Sequence, residues 1–314
     1  MALKSGKKAS GYQNLRRVLL MVALGISHAQ FAHALFDAGS EEQVTSAAEE
    51  ESSGFGHLVS PMDDPGPDLA NFPNSSYTLK PGGFYIETAP LSFYGSSPDV
   101  PSQWNLSYLM RYGLIENVEL RLFSNGVTFR PGETGTSPIA IDTKAHLASY
   151  QDENFNASVG IEAYVQPPNW LATADFRQPF QYSATFLFDH DLPLGISFEW
   201  NIGMVRQLGM GLTRTKPTVQ WAFQRDVIDG VAVFIQGFHN ASTLPGVPTS
   251  QIALMYDRQV DVVGLGAQWI VSPRFSLYGN MNFGVTPLSP KQIAIAGFAV
   301  AFCCLLYTSP SPRD

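Results

Sequence analysis

The chain has 314 residues, 45% of them apolar, 12% aromatic and only 15% charged, with 27 Gly and 22 Pro. Few charges together with many aromatics and turn formers favour an all-β chain over a helical one. The formal net charge is −8 and no basic stripe occurs, which argues against nucleic acid as a partner.

Residues 1–34 have the pattern of a secretory signal peptide. Lys4, Lys7, Lys8, Arg16 and Arg17 precede a short apolar core, Val18–Ile26. Ser27–Ala29 and Ala32–Ala34 each offer small residues at signal-peptidase spacing, so cleavage is expected after Ala29 or Ala34. Residues 35–75 hold nine acids and no Lys or Arg. Such a segment lacks the apolar mass to fold alone and reads as an acidic, disordered periplasmic extension. Beyond residue 34 no run of 18 apolar residues occurs, so helical membrane spans are not expected.

Between 76 and 302 the dominant signal is period two. Gln103–Tyr112 sets Trp104, Leu106, Tyr108, Met110 and Tyr112 against Gln103, Asn105, Ser107, Leu109 and Arg111. Gly195–Met204 sets Ile196, Phe198, Trp200, Ile202 and Met204 against Ser197, Glu199, Asn201 and Gly203. Strands are expected near 83–93, 103–112, 118–125, 138–148, 155–165, 181–189, 195–206, 217–225, 231–239, 260–271, 274–285 and 292–302. Short connections, such as Asp226–Gly230 and Ser272–Pro273, alternate with longer ones rich in Gly and Pro, such as 126–137 and 240–259. An even number of up-and-down strands with one quiet and one elaborated rim is the pattern of an outer-membrane barrel. The expected fold is therefore all-β: an antiparallel transmembrane barrel of about 12 strands over 76–302, its aromatic face toward lipid.

The second face of the strands carries Glu87, Arg111, Glu119, Arg121, Asp142, Lys144, His146, Glu162 and Glu199, expected to line the lumen. Their chemistry suits mutual pairing or a selectivity lining for a permeating solute. Asp142 and His146 share a face but lie about 13 Å apart along a strand, too far for an acid/His pair. The Asp189–His190–Asp191 run falls at a strand connection, where Asp favours turns. No catalytic set, metal site or cofactor is expected.

The last expected strand ends at Phe302. Last strands of outer-membrane barrels commonly end in Phe, which barrel-assembly machinery reads, so Phe302 is expected to be the assembly signal. Cys303 and Cys304 are the only cysteines and offer no disulfide framework. Residues 304–314, CLLYTSPSPRD, resemble a translated sequencing adapter, and 303–314 are expected to be an artefact.

One stretch carries a family resemblance. DDPGPDLANFPNSSYTLKPGGFYIETAP, Asp63–Pro90, has an Asp/Pro-rich lead (Asp64, Pro65, Pro67, Asp68) followed by Ser76, Tyr77, Thr78, Gly82 and then Glu87 on the first strand. Leu109–Leu122, Asp191–Trp200 and Ala267–Gly284 continue the likeness. Over about 63–302 the chain resembles the bacterial outer-membrane transporters grouped under the meta-pathway of phenol degradation. It departs in having DDPGPD where the family often has Arg after its first Asp. The resemblance implies a Gram-negative outer-membrane barrel for uptake or export of small, often aromatic solutes. Two alternatives stand beside it: a non-conducting scaffold whose periplasmic tail binds a partner, and a barrel hydrolase.

Overall fold

The computed structural model describes residues 66–97, 101–152, 155–167, 171–173, 176, 180–208, 214–240 and 260–302. The expected signal peptide, the acidic residues before 66 and the expected artefact at 303–314 lie outside these described residues.

Fourteen strands form one antiparallel sheet: β1 Phe84–Tyr94, β2 Gln103–Ile115, β3 Val118–Ser124, β4 Val127–Arg130, β5 Glu133–Thr136, β6 Ile139–Asp152, β7 Phe155–Gln166, β8 Phe180–Leu192, β9 Ile196–Leu208, β10 Arg214–Ile228, β11 Val231–His239, β12 Asp261–Ser272, β13 Phe275–Gly284 and β14 Gln292–Phe302. The wall follows chain order, and β1 bonds both β2 and β14, which closes the sheet into a 12-stranded barrel. At the seam Phe84 faces Phe302, with ring centroids 5.9 Å apart. Closure leaves no free wall edge.

The two strands outside the wall, β4 and β5, form a hairpin on β2 within a connection expected to be loop. The two-residue turn of the hairpin is Pro131–Gly132, and Gly132 has φ of 82°. This Pro-Gly pair suits a tight turn, but strands of four residues are too short for period two to show. Elsewhere strands run past their expected ends toward the quiet rim, β6 to Asp152 and β8 to Leu192. Prolines mark the irregular points. Pro90 sits where the register of β1 slips against both neighbours, and Pro217 lies outside the pairing of β10 with β11. In both places a missing N–H costs the ladder little.

The alternation of faces explains why this sheet spans a membrane. Leu106, Met110, Leu122, Phe186, Ile202, Leu265 and Met281 point outward and are exposed, while Asn105, Arg111, Arg121, Thr185, Asn201 and Asn280 point inward and are buried. An apolar exterior around a polar interior inverts the soluble design and matches a hydrocarbon surround. Aromatics gather on the outer face toward the quiet rim, where Phe188 stacks on Trp200 at 4.2 Å and Phe198 on Phe223 at 4.3 Å. Rings at that level fit the water–lipid interface.

Candidate functional site in the lumen

The lumen is occupied by the chain's own segment. Residues 66–83 are coil, and Asp68, Leu69, Ala70, Phe72, Asn74, Ser76 and Leu79 are buried. Residues 66–75, expected within the flexible extension, thus lie ordered inside the barrel. The reason is the distribution of polar partners: the coil pairs few of its own backbone groups, such as Ala70 N–H with the Pro67 carbonyl, and the inner wall supplies acceptors for others. The Leu69 N–H donates to Glu87 Oε2 at 2.7 Å, Phe72 N–H to Gln236 Oε1 at 2.8 Å, Ser76 N–H to Asp189 Oδ2 at 2.6 Å and Leu79 N–H to Glu119 Oε2 at 2.9 Å. Asn71 and Asn74 donate their amides to Glu199 and Glu162 at 2.9 and 2.7 Å, and Asn280 donates to the Ala70 carbonyl at 2.9 Å. Gly113 permits the closest approach. It exchanges hydrogen bonds with Gly82 and Gly83, and a Cβ there would overlap the Lys80 carbonyl oxygen.

Charges concentrate on one side of the lumen. Register places Arg111 of β2 opposite Arg121 of β3, which in turn faces Asp142 of β6. One residue-pair lower, Glu119, Lys144 and Glu162 line up across β3, β6 and β7. Two arginines directly opposed would repel. Their neighbours offset that: Arg111 donates to Glu119 (Nε–Oε1 2.6 Å) and Glu87 (3.1 Å), and Arg121 lies 2.9 Å from Glu162 and 3.0 Å from Asp142. Asp68 of the coil completes the cluster. Its Oδ2 is 2.9 Å from Lys144 Nζ, 3.4 Å from Arg121 and 3.5 Å from Arg111. The side chains of all these residues are at most 2% exposed.

Of the nine residues expected to line the lumen, Glu87, Arg111, Glu119, Arg121, Asp142, Lys144 and Glu162 meet in this cluster with Asp68. Glu199 sits apart on β9, holding Asn71. His146 is half-buried and anchors the coil: its Nδ1 is 3.2 Å from the Ser76 carbonyl, Ser149 lies 2.9 Å from its Nε2, and Tyr77 stacks on the ring. A backbone carbonyl stands where a hydrolytic triad would need an acid. Sequence reasoning missed Asp68 and Asp189. Asp189 looked like a turn residue because β8 runs farther than its alternation suggested. The only trace of the coil was Leu69, Phe72 and Leu79 spaced irregularly through a Pro/Asn/Ser-rich stretch free of Glu.

Two further environments border the coil. Toward the elaborated rim, Leu69, Ala70 and Phe72 join Tyr94, Phe238, Val262, Tyr278, Ile293 and Ile295 in an apolar cluster, with Phe72 edge-on to Phe238 at 4.9 Å. Toward the quiet rim, a cavity of about 710 Å³ is lined by Asp68, Asp189, Asp191, Glu199, Asp226 and Asp229, with His190 and no Lys or Arg. Among the described residues no group of His, Cys, Asp and Glu is arranged to hold a metal ion.

A closed, lipid-facing barrel whose polar lumen is filled by its own N-terminal coil defines the class: an internally plugged transmembrane β-barrel. The family model described as "Putative MetA-pathway of phenol degradation" matches residues 68–302, and the chain belongs to that family. Solved structures similar to it include an outer-membrane channel of Pseudomonas putida F1, at 13% identity and TM-score 0.49, covering 76% of this chain and 99% of that one. The NanC porin has 9% identity and TM-score 0.42, with 70% and 98% coverage. The outer-membrane protein OpdK of Pseudomonas aeruginosa has 11% identity and TM-score 0.32, with 66% and 75% coverage. No curated protein matches the chain.

Proposed function

We propose that the chain is an outer-membrane channel or transporter for small solutes, aromatic and hydrophobic ones among them, and not an enzyme. The observation that carries this reading is how the lumen is filled. Wall side chains fill the interior of a barrel of about eight strands, and a 12-stranded wall encloses more space than that. Here a separate coil fills it, held by hydrogen bonds and ion pairs that can be exchanged for water or solute. The apolar cluster above and the acidic cavity below give a solute two contrasting surfaces. In this reading the acid excess makes the open lumen mildly cation-preferring, and the nine charged and His positions act as its lining.

Export by residues 1–34 and delivery to the outer membrane belong to the same reading, with the assembly machinery recognising Phe302 at the seam. Phe302→Ala should lower the fraction of barrel assembled in the membrane; unchanged assembly would remove Phe302 from that role. The experiment for the channel itself is solute flux into liposomes, across phenols, aromatic acids and sugars, for the full chain and for a form lacking 66–79. Flux in either form supports the channel. A folded barrel that passes nothing in both forms supports the second reading, a scaffold, which the extensive hydrogen bonding of the coil favours.

A further inference from the structure

One anion of the charge cluster comes from outside the wall. Three positive groups from three adjacent strands, Arg111, Arg121 and Lys144, converge on a single carboxylate oxygen of Asp68 at 2.9–3.5 Å. Asp68 belongs to the coil and not to the wall, so the occupant is separable from the site. We propose that this is a carboxylate-binding site of the lumen, that Asp68 is its tethered resident, and that a small solute carboxylate competes with it and thereby loosens the coil. The proposal rests on the channel reading only for its consequence in transport; the site itself is a matter of binding.

Three observations support exchange over a purely structural pair. Arg111 already has Glu87 and Glu119, and Arg121 has Asp142 and Glu162, so both keep wall partners when Asp68 leaves. Lys144 differs: among the described residues its ion pair is with Asp68, and its hydrogen bond goes there too. Withdrawal of Asp68 takes that hydrogen bond away and leaves Lys144 beside its cross-strand neighbours Glu119 and Glu162, with a donor free for an incoming carboxylate. Third, Arg121 is buried, and while its Nη1 faces Asp68, its Nη2 has no hydrogen-bond partner, which leaves one donor of that guanidinium uncommitted. A planar carboxylate suits a guanidinium fork better than a spherical halide does. The four wall carboxylates beside the site oppose any anion and keep binding weak, as exchange requires.

Release follows from the neighbouring bonds. Leu69, the residue after Asp68, donates to Glu87, and Phe72, four residues after it, donates to Gln236. A solute taking the place of Asp68 therefore removes the anchor of the turn from which those two bonds start.

The test uses the folded full-length barrel in detergent. In Asp68→Ala the site is vacated, and sodium acetate or benzoate should raise the thermal unfolding temperature above that in sodium chloride of equal ionic strength. Adding Lys144→Met should abolish the difference. In the unsubstituted protein, benzoate but not benzamide should speed hydrogen exchange at the Leu69 and Phe72 amides. Equal stabilisation of Asp68→Ala by chloride and acetate overturns the proposal. Should Asp68→Ala fail to fold with or without carboxylate, exchange in the unsubstituted protein decides: unchanged exchange overturns it. None of these measurements needs flux, so a barrel that binds carboxylates but passes none would sink the channel reading and leave the site standing.

Discussion

The two sides of the lumen hold the same coil by different physics. Along β1, β2, β3, β6 and β7 it meets ionised groups, and its contacts are charge-assisted: Leu69 on Glu87, Asn74 on Glu162, Asp68 on Lys144. Along β11 to β14 it meets amides and hydrocarbon: Phe72 on Gln236 and Phe238, Ala70 on Asn280. Charged partners are stronger and far more demanding, because a buried charge that loses its partner is expensive while a buried amide that does so is only inconvenient. The neutral side locates the coil. The charged side makes its position conditional on charge balance.

The sharpest way to break this contrast is Arg111→Met. It leaves Glu87 without its ion-pair partner and takes the nearest cation from Glu119, and should cost about 3–5 kcal/mol of barrel stability, read by urea unfolding in lipid. Gln236→Leu, on the neutral side, orphans the Phe72 N–H and should cost about 1–3 kcal/mol. Equal losses would mean that the two sides do not differ in kind.

The outer wall offers a reference for both. Ile202 faces lipid at 43% exposure, and Ile202→Arg should cost about 2–4 kcal/mol if it lies near the midplane. A negligible cost in bilayers would contradict the assignment of faces on which the lumen rests.

Gly113→Ala separates the coil from the wall without altering charge. The new Cβ meets the Lys80 carbonyl, and overpacking of this kind typically costs about 1–3 kcal/mol. Because strain falls on the coil and not on the β2–β3 pairing, proteolysis within 66–83 should accelerate while the barrel stays heat-resistant. Loss of the barrel itself would show that coil and wall are one unit.

The smallest effect concerns selectivity. Glu119→Gln with Glu199→Gln should reduce cation preference in single-channel reversal potentials, and Arg111→Gln with Arg121→Gln should strengthen it. Gln268→Ala, on β12 where it lines the acidic cavity, removes no charge and should leave the reversal potential unmoved. A lumen insensitive to both charge-neutralising pairs would place the selective step elsewhere.

How much of this was legible follows from range. Period two along Gln103–Tyr112 or Ile196–Met204 is a local signal, because lipid on one side and a polar lumen on the other assign a face to every residue independently of its partners. The wall strands, their alternating turns and the inward set from Glu87 to Glu199 could therefore be read directly. Turn chemistry such as Asp229–Gly230 is equally local. The coil obeys no period. Asp68 finds Lys144 76 residues away, Phe72 finds Gln236 164 away and Ala70 finds Asn280 210 away. Those meetings exist only once the seam between β1 and β14 has closed the wall around the coil. By itself the sequence determined a barrel with charged residues inside. Tertiary structure alone decided that the charges gather on one side and that the lumen is filled from the N-terminal end, because partner choice among buried charges depends on which strands closure makes neighbours.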